Sequence, residues 1–249
     1  IKPKKKINLS PWKNVTKIVT DKNLKVINIA IIGKYVDLKD AYKSLDEALV
    51  HGGIKNNVKI KIIRIESDKL KISEIRKKLI DASGILIPGG FGRRGTEGKI
   101  ACINYARKNN IPFLGICFGM QMAVIEFARN VLKIKKAGSS ELDKKCFSVV
   151  GLIEEWSKNG KIVKGTSTKL GGTMRLGLYT AKLQHNSQIK DIYKSKIIHE
   201  RHRHRYEVNI KMKKKFEKKG MLFSGLSPDN NLPEIIELKN HPWFIGVQF

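Results

Sequence analysis

Cysteine is scarce in this sequence, and its three cysteines, Cys102, Cys117 and Cys146, form no C-x-x-C pair. An odd number of thiols without paired spacing argues against a disulfide scaffold or a zinc ribbon, and it predicts free thiols. Apolar runs are short, and none approaches the roughly 18 to 20 residues of a membrane-spanning helix. No signal peptide is visible. We therefore expect a soluble, cytoplasmic protein without a membrane partner.

Acidic residues are few: 22 Asp and Glu stand against 50 Lys and Arg, which gives a formal net charge of +28. Such a charge attracts polyanions, and nucleic acid is one candidate partner. However, the lysines are spread along the whole chain, and Arg-rich stripes with interleaved aromatics and zinc-finger spacings are absent. We interpret the excess as compositional, and we keep a nucleic-acid-binding protein as an alternative.

The sequence lacks a P-loop motif, and its first predicted strand is not followed by a dinucleotide-binding motif. The sequence contains no G-x-x-x-x-G-K-[ST], and the first predicted strand ends in Gly33-Lys34-Tyr35 without G-x-G-x-x-G. Because these motifs place phosphates on backbone N–H groups, their absence disfavours a P-loop or Rossmann site in these residues.

The two ends of the chain suggest a fragment of a longer polypeptide. The chain begins with Ile1 rather than Met, and residues 243–249 form an apolar run at its end. Residues 1–25 are Lys-rich and lack a core period, so we predict a linker from an upstream domain. Within it, Ser10 is predicted to cap a short helix that has Pro11 at its first position.

From Val26 onward, apolar periodicity predicts alternating strands and helices. The first half contains predicted strands at 26–33, 58–65, 84–88 and 111–116, and predicted helices at 40–52, 72–80, 96–109 and 120–130. Four strand–helix units predict an α/β fold with an open, mostly parallel sheet and helices on both faces. In the second half, strands are predicted at 175–183, 201–208, 221–226, 234–238 and 243–249, and a helix at 209–219. Their close spacing indicates antiparallel extensions of the same sheet.

The segment Gly115-Ile116-Cys117-Phe118-Gly119 follows the fourth predicted strand and fits a nucleophile elbow with Cys as the nucleophile. Flanking glycines relieve crowding where such a turn strains its central residue. The helix that follows aims N–H groups and its positive end at the sulfur, which favours the reactive thiolate. A small buried core cysteine is the alternative, and it is our interpretation of Cys102 and Cys146.

The segment Pro88-Gly89-Gly90-Phe91-Gly92 follows the third predicted strand. Consecutive glycines allow backbone N–H groups to turn toward a developing negative charge, so we predict an oxyanion hole. A phosphate cradle is the rival use of such a loop.

Together, the elbow and this glycine-rich loop resemble those of class I glutamine amidotransferases. Further strings are similar to the glutaminase domain of the CTP synthase family: residues 33–35, 40–44, 47–49, 171–177, 200–209 and 241–244. The resemblance covers nearly the whole chain from Val26 on. It implies that 26–249 is a glutamine amidotransferase domain with a flavodoxin-like fold, and that 1–25 is a linker from an N-terminal synthetase domain.

The resemblance also implies an activity and partners. Members of the family make CTP from UTP, ATP and glutamine in pyrimidine nucleotide biosynthesis. The glutaminase domain hydrolyses L-glutamine without a cofactor or a metal, and its ammonia reaches UTP through a tunnel. Mg and ATP act in the synthetase domain, GTP is an allosteric activator, and the enzyme is a homotetramer.

Carried over residue by residue, the resemblance makes Cys117 the nucleophile that attacks the side-chain amide of glutamine. The implied glutamine-binding residues are Gly90, Phe118, Gly119, Met120, Gln121, Glu141 and Arg205. Gly90 and the N–H of Phe118 line the oxyanion hole, Glu141 binds the α-amino group, and Arg205 holds the α-carboxylate. The loop 170–179 resembles the lid that couples to GTP.

Two positions depart from the family pattern. Phe118 stands where many members have Leu, and this change is harmless if the role belongs to the backbone. After Val247-Gln248-Phe249 the family continues with His-Pro-Glu, the base and its orienting acid, and neither is in this sequence. The six histidines that are present, none of which we expect to be catalytic, are His51, His185, His199, His202, His204 and His241.

A thiol without its base loses most of its reactivity, since triad removals cost on the order of 10³ to 10⁶ in rate. We therefore expect the 249-residue chain to hydrolyse glutamine very slowly. A degenerate, non-catalytic glutaminase-like module is one alternative. Another hydrolase of the same fold, such as a γ-glutamyl peptidase, is a second.

Overall fold

The computed structural model describes residues 7–35, 38–152, 155–158, 161–164 and 174–249. Helix α1 (Ser10–Thr20) comes first and has no buried residue. The predicted helix is therefore present, but its cap is not Ser10, because Leu9 occupies that position and Ser10 is the first helical residue. The Ser10 hydroxyl donates instead to the side chain of Asn8.

The first half contains the predicted alternation. Its elements are β1 (Val26–Gly33), α2 (Lys43–Lys55), β2 (Lys59–Glu66), α3 (Ile75–Leu79), β3 (Gly84–Ile87), α4 (Thr96–Lys108), β4 (Phe113–Ile116) and α5 (Phe118–Asn130). Short 3-10 helices at Lys39–Tyr42 and Ile72–Glu74 precede α2 and α3. The four strands pair in parallel, in the order β2-β1-β3-β4. The expected α/β architecture is confirmed.

The second half is richer in strands than predicted. It comprises β5 (Ala137–Ser139), β6 (Phe147–Leu152), β7 (Glu155–Lys158), β8 (Lys161–Lys164), β9 (Arg175–Leu183), α6 (Gln188–Tyr193), β10 (Ile197–His204), β11 (Tyr206–Val208), a 3-10 helix (Ile210–Met212), α7 (Lys213–Lys218), β12 (Met221–Leu226), β13 (Pro233–Leu238) and β14 (Phe244–Val247). The sequence analysis did not predict β5, β6, β7, β8 or α6.

One nine-stranded sheet organises the molecule, in the order β10-β9-β12-β13-β14-β4-β3-β1-β2. Strands β9, β10, β12 and β13 extend the sheet in antiparallel fashion, as expected. Strand β14 departs from that expectation, because it is antiparallel to β13 but pairs in parallel with β4. A smaller sheet, β11-β6-β5, and the hairpin β7-β8 complete the strands. Because β4 lies inside the large sheet, the loop after it opens at the middle of one sheet edge.

Several predicted elements differ from those observed. The predicted strand 201–208 is interrupted at Arg205, so that β10 joins the large sheet and β11 joins the small one. Helix α2 runs through its two glycines rather than ending there. Gly53 is buried, and a side chain there would meet the Val58 carbonyl oxygen at 2.8 Å, so this glycine serves close packing against β2. In the predicted helix 72–80, Ile72 and Ile80 face solvent, at 74% and 66% exposure.

Two apolar clusters cover the two faces of the large sheet. The larger one includes Phe113 and Phe244, whose rings stack with centroids 4.3 Å apart, and α5 packs within it. The smaller one lies on the other face around Ile189, Ile235 and Ile245. Burying each such side chain contributes roughly 1.5 to 3 kcal/mol. In the part of the chain that the structure describes, no helix is long and apolar enough to cross a membrane.

Candidate active site

Cys117 sits at the sharp turn between β4 and α5, as the elbow motif predicts. Its backbone is left-handed, with φ 52° and ψ −100°, a conformation that costs a non-glycine residue of order 1 to 3 kcal/mol. The flanking glycines are required by space: a side chain on Gly115 would meet the Gly119 carbonyl carbon at 2.7 Å, and one on Gly119 would clash with the Ile87 carbonyl oxygen. The Cys117 N–H donates to the Val247 carbonyl at 2.6 Å, which ties the turn to β14.

The start of α5 favours the Cys117 thiolate, as the sequence analysis expected, but burial opposes it and has the larger effect on the pKa. Burial, helped by the charges of Glu207 and Glu141, raises the pKa of Cys117 to about 11. The N–H of Phe118 and the side chain of Gln248 act in the predicted direction and lower this pKa, but burial outweighs them. The thiol therefore keeps its proton near neutral pH and needs a base in order to react.

The glycine-rich loop after β3 lies beside the elbow. A side-chain carbon on Gly89 would stand 3.8 Å from the Cys117 Cβ, while Gly90 has open space around it and is exposed. The Lys34 ammonium donates to the Phe91 carbonyl, and the Gly92 N–H donates to Glu141 Oε1 at 2.7 Å. The Phe91 carbonyl and the Gly92 N–H belong to one peptide unit, which is therefore held from both sides. These contacts fix the loop next to the sulfur.

The residues after Cys117 present backbone rather than side chains to the site. The side chains of Phe118 and Met120 are 1% and 0% exposed and belong to the core. Gly119 packs against β3. Gln121 is buried, and its Nε2 donates to the Tyr206 carbonyl at 2.9 Å. Phe118 and Met120 can therefore contact a small molecule at the elbow only through their main chain.

Charges of opposite sign lie near Tyr206. Burial and the Glu141 carboxylate raise the pKa of the Tyr206 hydroxyl, while the Arg205 guanidinium lowers it. Glu141 and Arg205 are both half-buried, and the Arg205 Nε is a buried donor without a hydrogen-bond partner among the described residues. A carboxylate and a guanidinium close to one tyrosine suit the two charged ends of an α-amino acid.

A buried ionic cluster next to the site was not predicted. Arg175 bridges two carboxylates, donating to Glu207 and to Glu234 at 2.8 Å each, and both acids are buried. Burial raises the pKa of Glu207 to about 8 against the pull of Arg175. The signal was present in the sequence 200–207, where His202 and His204 alternate with arginines that face outward in the structure. Alternation alone does not say which face of a strand is buried.

His202 and His204 belong to the same cluster. Their rings hydrogen-bond each other, with 2.9 Å between Nδ1 of His202 and Nε2 of His204. Burial, with Arg175 nearby, lowers the pKa of His202 to about 3 and that of His204 to about 2. Both rings are therefore neutral at physiological pH.

No histidine hydrogen-bonds the Cys117 sulfur in the part of the chain that the structure describes. His51 lies within α2, and His199 lies in β10. His185 lies in the predicted loop, and the buried His241 donates from Nε2 to the Ala106 carbonyl at 3.2 Å.

Two further predictions concern the lid and metal binding. Residues 170–173 of the predicted lid lie outside the described residues, and the remainder of it enters β9. Across the described ranges, no group of three or more His, Cys, Asp or Glu side chains is placed to hold a metal ion.

Sequence comparison identifies relatives along the whole chain. The family described as "Glutamine amidotransferase class-I" matches residues 37–249. All 249 residues of the chain align with the CTP synthase of Pelagibacter ubique (strain HTCC1062) at 72% identity. The aligned part covers 46% of that protein. It is 50% identical over 98% of its length to the CTP synthase of Rhodospirillum rubrum, covering 45% of it. The chain thus spans somewhat under half the length of these curated relatives.

Structural comparison points the same way. The glutaminase domain of Trypanosoma brucei CTPS, solved with bound acivicin, superimposes with a TM-score of 0.80 at 37% sequence identity. The match covers 90% of this chain and 85% of that one. A glutamine amidotransferase from Thermotoga maritima shares the fold at a TM-score of 0.51 and 13% identity.

Proposed function

The chain belongs to the class I glutamine amidotransferases, as a glutaminase domain of the CTP synthase type, and from this premise we propose that Cys117 is the nucleophile that hydrolyses glutamine. The observation that carries the proposal is the strained turn that holds Cys117 between β4 and α5, directly beside the glycine-rich loop. Nucleophile elbows use this geometry to expose a reactive side chain at the edge of a sheet.

The reaction proceeds through a thioester. Cys117 gives up its proton to a base, and the sulfur attacks the carbonyl carbon of the glutamine side-chain amide. The C–N bond then breaks, the nitrogen takes a proton and leaves as ammonia, and water hydrolyses the thioester to glutamate. The N–H groups of Phe118 and Gly90 are assigned to the oxyanion, and one such donor is worth about 2.7 to 4 kcal/mol of transition-state stabilisation.

Substrate binding is assigned to the charged pair near Tyr206. Glu141 binds the α-amino group of glutamine, and Arg205 binds its α-carboxylate, for which the unpaired Nε is a free donor. Glu141 keeps one oxygen available, since the contact with the Gly92 N–H occupies only Oε1. Gly119, Met120 and Gln121 form the floor of the pocket through their main chain.

We further propose that residues 1–249 by themselves turn over glutamine very slowly. The Cys117 thiol has a pKa of about 11, and among the described residues no histidine is hydrogen-bonded to it. Loss of the base costs on the order of 10³-fold or more in rate. Appending His-Pro-Glu after Phe249 should restore turnover, and failure of this extension would favour a degenerate, non-catalytic module.

In the whole protein, we propose that the ammonia aminates UTP to CTP. The names of the full-length relatives support this assignment, since they are CTP synthases of which this chain matches under half. Residues 1–25 would then lead from a synthetase domain that uses Mg and ATP. GTP activation, a homotetramer and a cytoplasmic location belong to the same proposal.

Active-site labelling tests the proposal directly. Acivicin, the compound bound in the Trypanosoma brucei domain, or a diazo-ketone analogue of glutamine is applied to residues 1–249 and to the version extended by His-Pro-Glu. Peptide mass mapping should find the label on Cys117 of the extended version, with protection by glutamine. Cys117→Ser is the matched control and should remain unlabelled. Absence of label from a folded, extended protein would refute the nucleophile assignment.

A further inference from the structure

The Cys117 sulfur is in contact with a side chain that none of the sequence motifs assigned. Gln248, at the end of β14, is completely buried, and its Nε2 lies 3.6 Å from the Cys117 Sγ, within hydrogen-bonding distance for sulfur. Its backbone is fixed as well, because the Gln248 N–H donates to the Glu234 carbonyl at 2.8 Å. The amide group therefore stands against the sulfur without freedom to turn into solvent.

Gln121 determines which end of the Gln248 amide faces the sulfur. The Tyr206 carbonyl can only accept, so the Gln121 group that meets it at 2.9 Å must be the NH₂. The second hydrogen of that NH₂ is directed to Gln248 Oε1, 3.3 Å away. With its oxygen held by Gln121, Gln248 can present only its own NH₂ to Cys117.

The same carbonyl also fixes the histidine pair. His204 Nδ1 lies 3.2 Å from the Tyr206 oxygen and must donate to it, which leaves the His204 Nε2 as the acceptor for His202 Nδ1. A single backbone carbonyl thus sets the direction of every hydrogen bond from the histidine pair to the sulfur. The arrangement is rigid, because each of these side chains is buried.

We propose that Gln248 is a further residue of the catalytic site, whose side-chain N–H stabilises the Cys117 sulfur as it becomes negative, and that Gln121 positions it. This inference rests on the proposed role of Cys117 as nucleophile. A donor aimed at a thiolate stabilises the charged form and makes the proton easier to remove. The contact works against the desolvation of the sulfur and the nearby carboxylates, which favour the neutral thiol.

The pH dependence of Cys117 alkylation tests the contact without requiring glutamine turnover. Iodoacetamide reacts with the thiolate, so the rate at Cys117, followed by mass spectrometry from pH 7 to 11, reports its ionisation. Gln248→Met keeps the length of the side chain and removes the donor. It should move the profile to higher pH and slow alkylation at pH 8 by about threefold or more. Gln248→Glu places an oxygen against the sulfur and should slow it further.

Controls separate the contact from general damage. Gln188→Met makes the same change at the start of α6 and should leave the Cys117 profile unmoved. Cys146, a half-buried thiol in the same molecule, serves as the internal reference for reagent access. If Gln248→Met remains folded by circular dichroism and alkylates at Cys117 with an unchanged profile, the proposal is overturned.

A measurement on the unchanged protein covers the case in which the variants do not fold. The side-chain ¹⁵N–H₂ resonance of Gln248 should shift in step with the ionisation of Cys117, while that of Gln184 stays in place. A Gln248 resonance that ignores this ionisation would overturn the proposal. Because neither readout depends on acivicin labelling, a failed glutaminase assignment and a failed Gln248 contact give different results.

Discussion

At the scale of single residues, the site joins a strained backbone to a half-buried, protonated sulfur. The left-handed conformation of Cys117 is tolerated because Gly115 and Gly119, two residues to either side, leave room for the turn, and because β14 accepts the Cys117 N–H. Burial then determines the chemistry: it raises the pKa of the thiol to about 11 despite the donors that face the sulfur. A residue in this state is a nucleophile only when a base assists it.

His202 shows a second effect of burial, and it yields a prediction about pH. Because burial lowers the pKa of His202 to about 3, its neutral form contributes stability that is complete above about pH 6.5 and is lost as the pH falls toward 3. His202→Asn removes this titration. The slope of unfolding free energy against pH, measured by urea denaturation between pH 6 and pH 5, should fall by about 1.4 kcal/mol per pH unit.

The comparison with a variant is necessary because Glu207 acts in the opposite direction. Its raised pKa, about 8, contributes stability that is complete below about pH 4.5 and is lost as the pH rises through 8. The same substitution at the exposed His51 of α2 is the control and should leave the slope nearly unchanged. An unaltered slope in His202→Asn would mean that this ring is protonated in the folded protein.

At the scale of elements, the close approach of α5 to β3 positions the elbow, and glycine makes it possible. A side chain on Gly119 would overlap the Ile87 carbonyl oxygen, whereas one on Gly52 of α2 would meet nothing within 4 Å. Gly119→Ala should therefore destabilise the fold by about 1 to 3 kcal/mol through overpacking. Gly52→Ala should stabilise it by roughly 0.5 to 1 kcal/mol, since alanine is the better helix former.

Chemical denaturation of the two variants measures this difference. Gly119→Ala should also reduce alkylation of Cys117, because the turn has to shift to make room. Equal stabilities for Gly119→Ala and Gly52→Ala would show that α5 does not pack as closely as the structure indicates.

Arg175 holds three strands together, and this leads to a third prediction. It reaches from β9 to Glu207 of β11 and Glu234 of β13, and all three side chains are at most 4% exposed. Arg175→Met leaves two buried acids without their charged partner, so a loss of about 3 to 5 kcal/mol is expected in urea unfolding.

Arg64 provides the matched control for Arg175. Its ion pair with Asp46 is at the surface, where the arginine side chain is 33% exposed. Arg64→Met should cost no more than about 1 kcal/mol. Similar losses in the two variants would contradict the view that burial makes the Arg175 cluster costly to break.

At the scale of the whole molecule, the net charge of +28 is dispersed. Exposed lysines occur on α1, α2, α3 and α7 alike. Because the lysines are spread over these helices, we expect retention on DNA-cellulose at low salt only, with elution by about 0.15 M, since nonspecific binding weakens steeply with salt.

Paired substitutions on two helices test the dispersion. Lys214→Gln with Lys218→Gln on α7, and Lys77→Gln with Lys78→Gln on α3, should lower the eluting salt concentration by similar, small amounts. Retention above physiological salt, or a much larger effect on one helix, would revive the nucleic-acid-binding alternative.

Much of the architecture followed from local pattern. Parallel strands such as Val26–Gly33, which is buried in its second half, have near-continuous apolar sequences. Strands β9 and β12 were predicted with the bounds that the structure shows. The failures have local causes. Tertiary packing against β2 overrides the helix-ending tendency of Gly52 and Gly53. At Arg205 the chain passes from the large sheet to the small one, and periodicity cannot show such a crossing.

The candidate site, too, was predicted only in part. By itself, the sequence determined the elbow around Cys117 and the glycine-rich loop, because strain and close approach demand glycine at fixed spacings. Only the tertiary structure decided the thiol's protonation and brought Gln121, Gln248 and the Arg175 cluster to it. Desolvation and hydrogen-bond direction depend on groups more than 100 positions apart in the chain, such as Cys117 and Gln248 with a separation of 131, and no local pattern records such distances.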